Sequence, residues 1–190
     1  PHVMATGARA ISEHCLGVGV TSMTDAAVMA TEMFATYQEG IDDRSIRVRT
    51  RLFPGWRFLD DLPLRTGLCG EMLSLGALTF VSDASIQGYT ACPRKGYHHL
   101  PDLNTPEVLP AAELIELVTE AHRKGWQVAV HANGDQAIDN TLDAFEAALE
   151  AHPRDDHRHR IGRLASGFDL ILGRLQDPDD GISGKSSTQE

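Results

Sequence analysis

Gly125-Trp-Gln-Val-Ala-Val-His-Ala-Asn-Gly-Asp135 is an apolar run that ends in a histidine and passes straight into a turn. Gln127–Ala132 is expected to be a strand, because Val128, Ala129 and Val130 form a short apolar run bounded by glycine on both sides. The residues after the turn, Gln136 to Ala151, read as a helix, since Ile138, Leu142, Phe145 and Leu149 recur at helical spacing. The residues before Gly125, from about Ala111 to Lys124, read as another, with Leu114, Ile115, Leu117, Val118 and Ala121 on one side. Gly125 is placed to end that helix. A strand set between two helices is the repeating unit of a parallel α/β fold.

The same alternation extends toward the N-terminus. Val18–Asp25 is expected to be a strand, followed by a helix near Ala26 to Gln38 that Gly40 closes as its C′ residue. Ile46–Phe53 is a second strand, because its apolar residues alternate with Arg47, Arg49 and Arg51 at a period of two. Pro54-Gly55 stops it. Ala77–Ser82 is a third strand. Asp83 to Pro110 holds Gly88, Pro93, Gly96, Pro101 and Pro106, so it reads as a long irregular loop. A fifth strand starts near Arg158. Right-handed crossovers would set successive strands side by side, in an open sheet or a curved one. No strand leads into the Gly-rich phosphate turn of a doubly wound dinucleotide fold. Five strands are too few to close an eight-stranded barrel.

The bulk composition narrows the function classes. The chain has 190 residues, 42% hydrophobic and 23% charged, with a formal net charge of −10. An acidic chain without a basic block argues against nucleic acid and for a small-molecule substrate. No apolar run reaches the ~20 residues that a membrane helix needs, and the first residues do not have the form of a signal peptide. Cys15, Cys69 and Cys92 are scattered, which fits a reducing cytoplasm better than a disulfide framework. From Gly162 the texture becomes polar and aperiodic. Residues 1–161 are therefore expected to form the folded part and 162–190 a divergent, disordered tail. Gly184-Lys185-Ser186 lacks the glycine and the strand that a phosphate loop requires.

In parallel β/α folds the carboxyl ends of the strands converge on one rim, where active sites form. His131 is at such an end, and a neutral imidazole there suits a divalent ion. Asp135 lies where it can orient a neighbouring group. Ser82-Asp-Ala-Ser-Ile-Gln-Gly-Tyr-Thr90 follows another strand. Asp83 is the second candidate catalytic carboxylate, and Ser85, Gln87 and Tyr89 form a candidate substrate loop. Asp25 ends the first strand and reads mainly as the N-cap of the next helix. His98 and His99 would point opposite ways on an extended segment. His157 and His159 have the His-x-His spacing of a two-ligand strand site, but they lie in Arg154-Asp-Asp-His-Arg-His-Arg160, a charged stretch that reads mainly as surface.

Gly76-Ala-Leu-Thr-Phe-Val-Ser-Asp-Ala-Ser-Ile-Gln-Gly88, then the block around His131 through Asp139, then Leu142-Asp-Ala-Phe-Glu146 and Arg158-His-Arg-Ile161, resemble in this order the YtcJ-like branch of the amidohydrolase superfamily, the amidohydrolase 3 type. The resemblance covers roughly Gly17 to Ile161. It implies a partial TIM-type (β/α)8 metal-dependent hydrolase barrel, about five parallel strands with flanking helices, corresponding to strands two to six. It implies hydrolysis of amide or related C–N bonds by metal-activated water, a divalent ion such as zinc in full-length members, and His131 as a metal ligand. The chain also departs from the family. The strand-one His-x-His is absent, as is the strand-eight aspartate. Thr79 stands where relatives carry a lysine able to bridge metals as a carbamate. Gly162-Arg163 stands where they carry Glu-His, and Ala84 replaces the glycine of Asp-Gly-Ser. A shifted reading frame near Gly162 would account for the abrupt loss of likeness. With one of the family's ligands present, the isolated chain is expected to bind metal weakly and hydrolyse little. Two alternatives stand beside this reading. One is a non-catalytic half-barrel that self-associates as a homo-oligomer or binds a partner. The other is a metal-free enzyme using Asp83 and His131 as acid and base.

Overall fold

Gly125 ends the helix before it at φ +87, a left-handed conformation that favours glycine, as its position in the sequence suggests. That helix and its surroundings belong to a computed structural model that describes residues 2–62, 66–67 and 70–162. Cys69 and the tail at 163–190 lie outside the described residues. Contacts divide the chain into two compact units, Pro1–Phe80 with Lys124–Ala129, and Val81–Arg123 with Val130–Glu190.

In the first unit β1 (Ser22–Val28), β2 (Arg49–Pro54) and β3 (Leu73–Leu75) form a sheet in that order. Both pairings are parallel, with Thr24 opposite Arg51 and Arg51 opposite Ser74. The period of two in β2 is realised. Thr50 and Leu52 are buried while Arg49 and Arg51 are exposed, and the Arg49 Nε–H donates to Ser22 Oγ at 3.0 Å. Two helices complete this unit, α1 (His2–Gly17) and α2 (Thr31–Asp42). They pack on a small core of Ala8, Ile46 and Val48, flanked by Tyr37 and Ile41.

Two sequence readings are corrected in this unit. Gly40 is not the C′ residue of α2, because the helix continues to Asp42. Gly40 is a glycine because a Cβ there would meet the Ile46 side chain at 2.5 Å. Asp25 is not an N-cap, since α2 begins at Thr31 after Ala30. It lies inside β1, where its carboxylate accepts the Tyr37 hydroxyl proton at 2.8 Å.

The second sheet has β4 (Leu78–Val81), β5 (Val128–His131) and β6 (Arg160–Gly162), in that order. Leu78 N–H donates to Gln127 O and Ser82 N–H to His131 O, so the two chains advance in step and run parallel. The described residues therefore hold six strands, two sheets of three, where the sequence suggested about five. The addition is β3, three residues long and too short to leave a period.

In the second unit α3 (Ala111–Arg123) packs on α4 (Asp135–Ala151). The apolar stripe expected on α4 is only part of its buried face. Ala137, Thr141, Ala144 and Ala148 are fully buried beside Ile138 and Phe145. Small residues at helical spacing let Leu114, Val118 and Ala121 of α3 approach closely. Among the described residues no helix is long and apolar enough to cross a membrane.

Candidate metal and hydrolytic site

His131 ends β5, as its sequence suggests. Its ring is half-buried, with Nε2 3.0 Å from Ala84 O. The side-chain amide of Asn133 donates to the same carbonyl and lies 3.1 Å from His131 Nε2. The imidazole edge is thus set between one carbonyl and one side-chain amide, which orients the ring.

Asp83 follows β4 and is fully buried. Its Oδ1 accepts from Asn133 N–H at 2.8 Å, and its Oδ2 from Gly134 N–H at 2.7 Å and Cys92 N–H at 2.9 Å. A carboxylate bound by three backbone amides ties the end of β4, the turn after β5 and the long loop to one another. Among the described residues its hydrogen bonds come from these amides and not from the imidazole of His131. The geometry therefore makes Asp83 a positioning group. Gly134 has an ordinary φ of −75, yet a Cβ on it would land on the Cys92 backbone. Close approach, not backbone conformation, requires this glycine.

Asp135 opens α4. Its Oδ1 accepts from Arg94 N–H at 2.8 Å. The Arg94 guanidinium in turn pairs with Asp139 on the same helix. Asp135 and Asp139 thereby hold the long loop against the first turn of α4. Ser85, Gln87 and Tyr89 close a local turn. Ser85 Oγ–H donates to Gln87 Oε1 at 3.0 Å, and Thr90 N–H donates to Ser85 O at 2.9 Å. Tyr89 takes φ +54 and sets its ring edge-to-face on Tyr97, centroids 5.0 Å apart. Gln87 and Tyr89 are exposed. The turn follows directly from Ala84, but none of its three candidate residues hydrogen-bonds to His131.

Three participants escaped the sequence reading. Asn133 and Ala84 hold the imidazole, and the Cys92 amide completes the Asp83 cradle. The Cys92 thiol is pushed up from its ordinary pKa, first by burial and then by Glu107, Asp83 and Asp135, so it is a poor nucleophile. Two other histidines are corrected. His157 and His159 are not simply surface residues. The His159 ring packs against His122, His157 and Phe145.

The donor set does not by itself make a metal centre. A catalytic zinc site takes about three protein ligands. Near His131 the carboxylates of Asp83 and Asp135 are occupied by backbone amides, and no group of three or more His, Cys, Asp or Glu residues that could hold a metal occurs among the described residues. One oriented imidazole is what this segment offers.

Comparison with known proteins places this arrangement. The sequence profile of the amidohydrolase family matches residues 2–168. The chain is 34% identical over 139 residues to Protein LONG AFTER FAR-RED 3 of Arabidopsis thaliana, which covers 70% of this chain and 24% of that protein. It is 35% identical over 92 residues to the putative amidohydrolase YtcJ of Bacillus subtilis, 48% of this chain and 17% of that protein. The chain thus spans about a quarter or less of these curated relatives. Among solved structures, it superposes on a metal-dependent hydrolase from Pyrococcus horikoshii OT3 with a TM-score of 0.68 and 26% identity, over 75% of this chain and 30% of that one. A metal-dependent hydrolase from Pyrococcus furiosus shares the fold with a TM-score of 0.69 and 24% identity, over 88% of this chain and 38% of that one. With its profile matched over most of its length, the chain belongs to the amidohydrolase family.

Proposed function

We propose that this chain is a segment of a metal-dependent hydrolase acting on amide-type, non-peptide C–N bonds of small molecules, and that alone it turns over little substrate. The observation that carries the reading is the His131 ring at the carboxyl tip of a parallel strand, oriented between Ala84 O and the Asn133 side-chain amide. His131 is this segment's contribution to a divalent metal centre, zinc being the ion its imidazole suits. Asp83 and Asp135 position the loops around it. Ser85, Gln87 and Tyr89 stand at the start of the loop that would border substrate. Strand order supports a partial (β/α)8 barrel as the frame. In both sheets neighbours follow chain order, as they do around a barrel, whereas a doubly wound sheet reverses order at its switch point. The parallel bridge from Gly55 to Thr79 extends the same progression. The acidic charge and cysteine usage fit a cytoplasmic enzyme without a nucleic-acid or membrane partner.

The test is hydrolysis of a panel of small amides by the purified chain with added zinc, cobalt or manganese. The expected result is turnover near background. Robust turnover with stoichiometric bound metal would overturn the claim that this segment is catalytically incomplete.

A second reading is favoured by one observation in the first unit. Val3, Ile11 and Val18 are 85%, 54% and 65% exposed, and among the described residues β1 is an edge strand. Exposed apolar side chains and an unpaired strand edge both favour self-association of a half-barrel. Light scattering after size exclusion separates the two. A stable monomer across a hundredfold concentration range argues against self-association, and a defined dimer supports it.

A further inference from the structure

Three histidines of the second unit form a hydrogen-bonded chain that takes no part in the site around His131. His122 lies in the last turn of α3 and is 2% exposed. Its Nε2 is 2.6 Å from the carbonyl of His152, the residue that ends α4. Because the carbonyl accepts, Nε2 holds a proton. His122 Nδ1 meets His159 Nε2 at 2.8 Å, so one hydrogen lies between the two rings. The His159 backbone N–H in turn donates to His157 Nδ1 at 3.0 Å.

The three rings cannot all carry a charge. Protons on both His122 Nδ1 and His159 Nε2 would face each other. A proton on His157 Nδ1 would face a backbone N–H. A proton on His159 Nδ1 would put a charge between rings whose centroids lie 4.7 and 4.9 Å away, with Phe145 at 5.2 Å. Arg154 donates to His122 O at 3.3 Å and repels all three cations. Asp156, whose field favours a charge on His157, is already held by Arg158 at 2.6 and 3.0 Å. In the last turn of α3, Arg123 pairs with Glu120. Burial is the largest influence on each ring and lowers all three, His159 to about 3.

His159 directly precedes β6. Ile161 of β6 packs on Ala132, Ala137 and Ile138, the apolar cluster at the foot of the turn after His131. We propose that His122, His159 and His157 form a proton-operated latch, which clamps the segment from Arg154 to Gly162 onto α3 and α4 when neutral and releases β6 when protonated. The proposal is independent of the hydrolase reading. Below about pH 6.5, the pKa of a solvated imidazole, the released segment takes up protons that the clamped one excludes. Each further unit of acidification favours release by up to about tenfold per histidine freed. Above that range the latch is insensitive to pH.

The experiment is hydrogen exchange of the full chain at pH 7.5 and 5.0, corrected for intrinsic exchange rates, with ring nitrogen shifts of 15N-histidine in the same samples. The expected result is exchange at 159–162 about tenfold faster or more at pH 5.0, while the interior of α3 and α4 stays protected. His122 and His159 should be neutral at pH 7.5 and change protonation together. In His157→Gln, which removes one titrating ring, the pH response should become shallower. Exchange at 159–162 that does not respond to pH, or His122 and His159 titrating separately near pH 6.5, would overturn the latch. If the variant does not fold, the two measurements on the unaltered chain decide.

Discussion

Removing the carboxylate of Asp83 should be the most damaging single change near the β5 turn. Asp83→Ala leaves the amides of Asn133, Gly134 and Cys92 without their acceptor. Asn133 and Gly134 are buried and Cys92 is half-buried. An orphaned buried donor costs about 1–3 kcal/mol. Two such donors and a third that water can partly reach give about 3–6 kcal/mol, a large fraction of the ~5–15 kcal/mol that holds a typical domain together. Asp83→Asn should cost less, about 1–3 kcal/mol, because its amide can turn its oxygen toward Gly134 and Cys92 and lose only the bond to Asn133. The assay is urea unfolding followed by far-ultraviolet circular dichroism, with hydrogen exchange at the three amides as the local readout. The reasoning is refuted if both variants unfold within about 0.5 kcal/mol of the unaltered chain. It is refuted equally if Asn costs more than Ala.

Gly134→Ala should lower the thermal midpoint, since its Cβ overlaps the Cys92 backbone and overpacking of this kind costs about 1–3 kcal/mol; an unchanged midpoint would mean the turn has room to move. Tyr37→Phe should cost about 0.5–1.5 kcal/mol in chemical unfolding through loss of the bond to Asp25. Burial and then Asp25 raise the Tyr37 hydroxyl well above the ordinary tyrosine range, so that loss should be the same at pH 7 and pH 9. Acid stability follows from the histidine chain. Folded pKa values below the unfolded ones mean that the unfolded state binds more protons, so stability falls as pH drops from about 6.5 toward 3. The urea midpoint should therefore be lower at pH 5 than at pH 7.5, and His122→Asn with His159→Asn should flatten that dependence.

The elements that the sequence revealed are those with strong periodicity. The ends of α3 and α4 fall within a residue of expectation, because both have long apolar stripes and α3 has a glycine stop. β5 lies within the expected run for the same reason. β1 is displaced because Val18 and Val20, good strand residues, sit exposed in a turn around Gly19 at φ +80. α1 carries a weak stripe interrupted by Gly7 and was not foreseen. The site was legible as single residues, not as a network. His131 and Asp83 stand out because each follows an apolar strand. What holds them could not be read, since the Ala84 carbonyl and the amides of Asn133, Gly134 and Cys92 are backbone groups with no signature in the side-chain pattern. The histidine chain was obscured differently. His122 comes from a helix, and His157 and His159 from a charged stretch 35 and 37 positions later, which spacing alone does not bring together.

Titration of the chain with cobalt(II), followed by the ring signals of 15N-histidine, tests the central claim most directly. The account predicts weak, substoichiometric binding in which the His131 ring responds first, and loss of that response in His131→Ala. Tight stoichiometric binding that survives His131→Ala would contradict it.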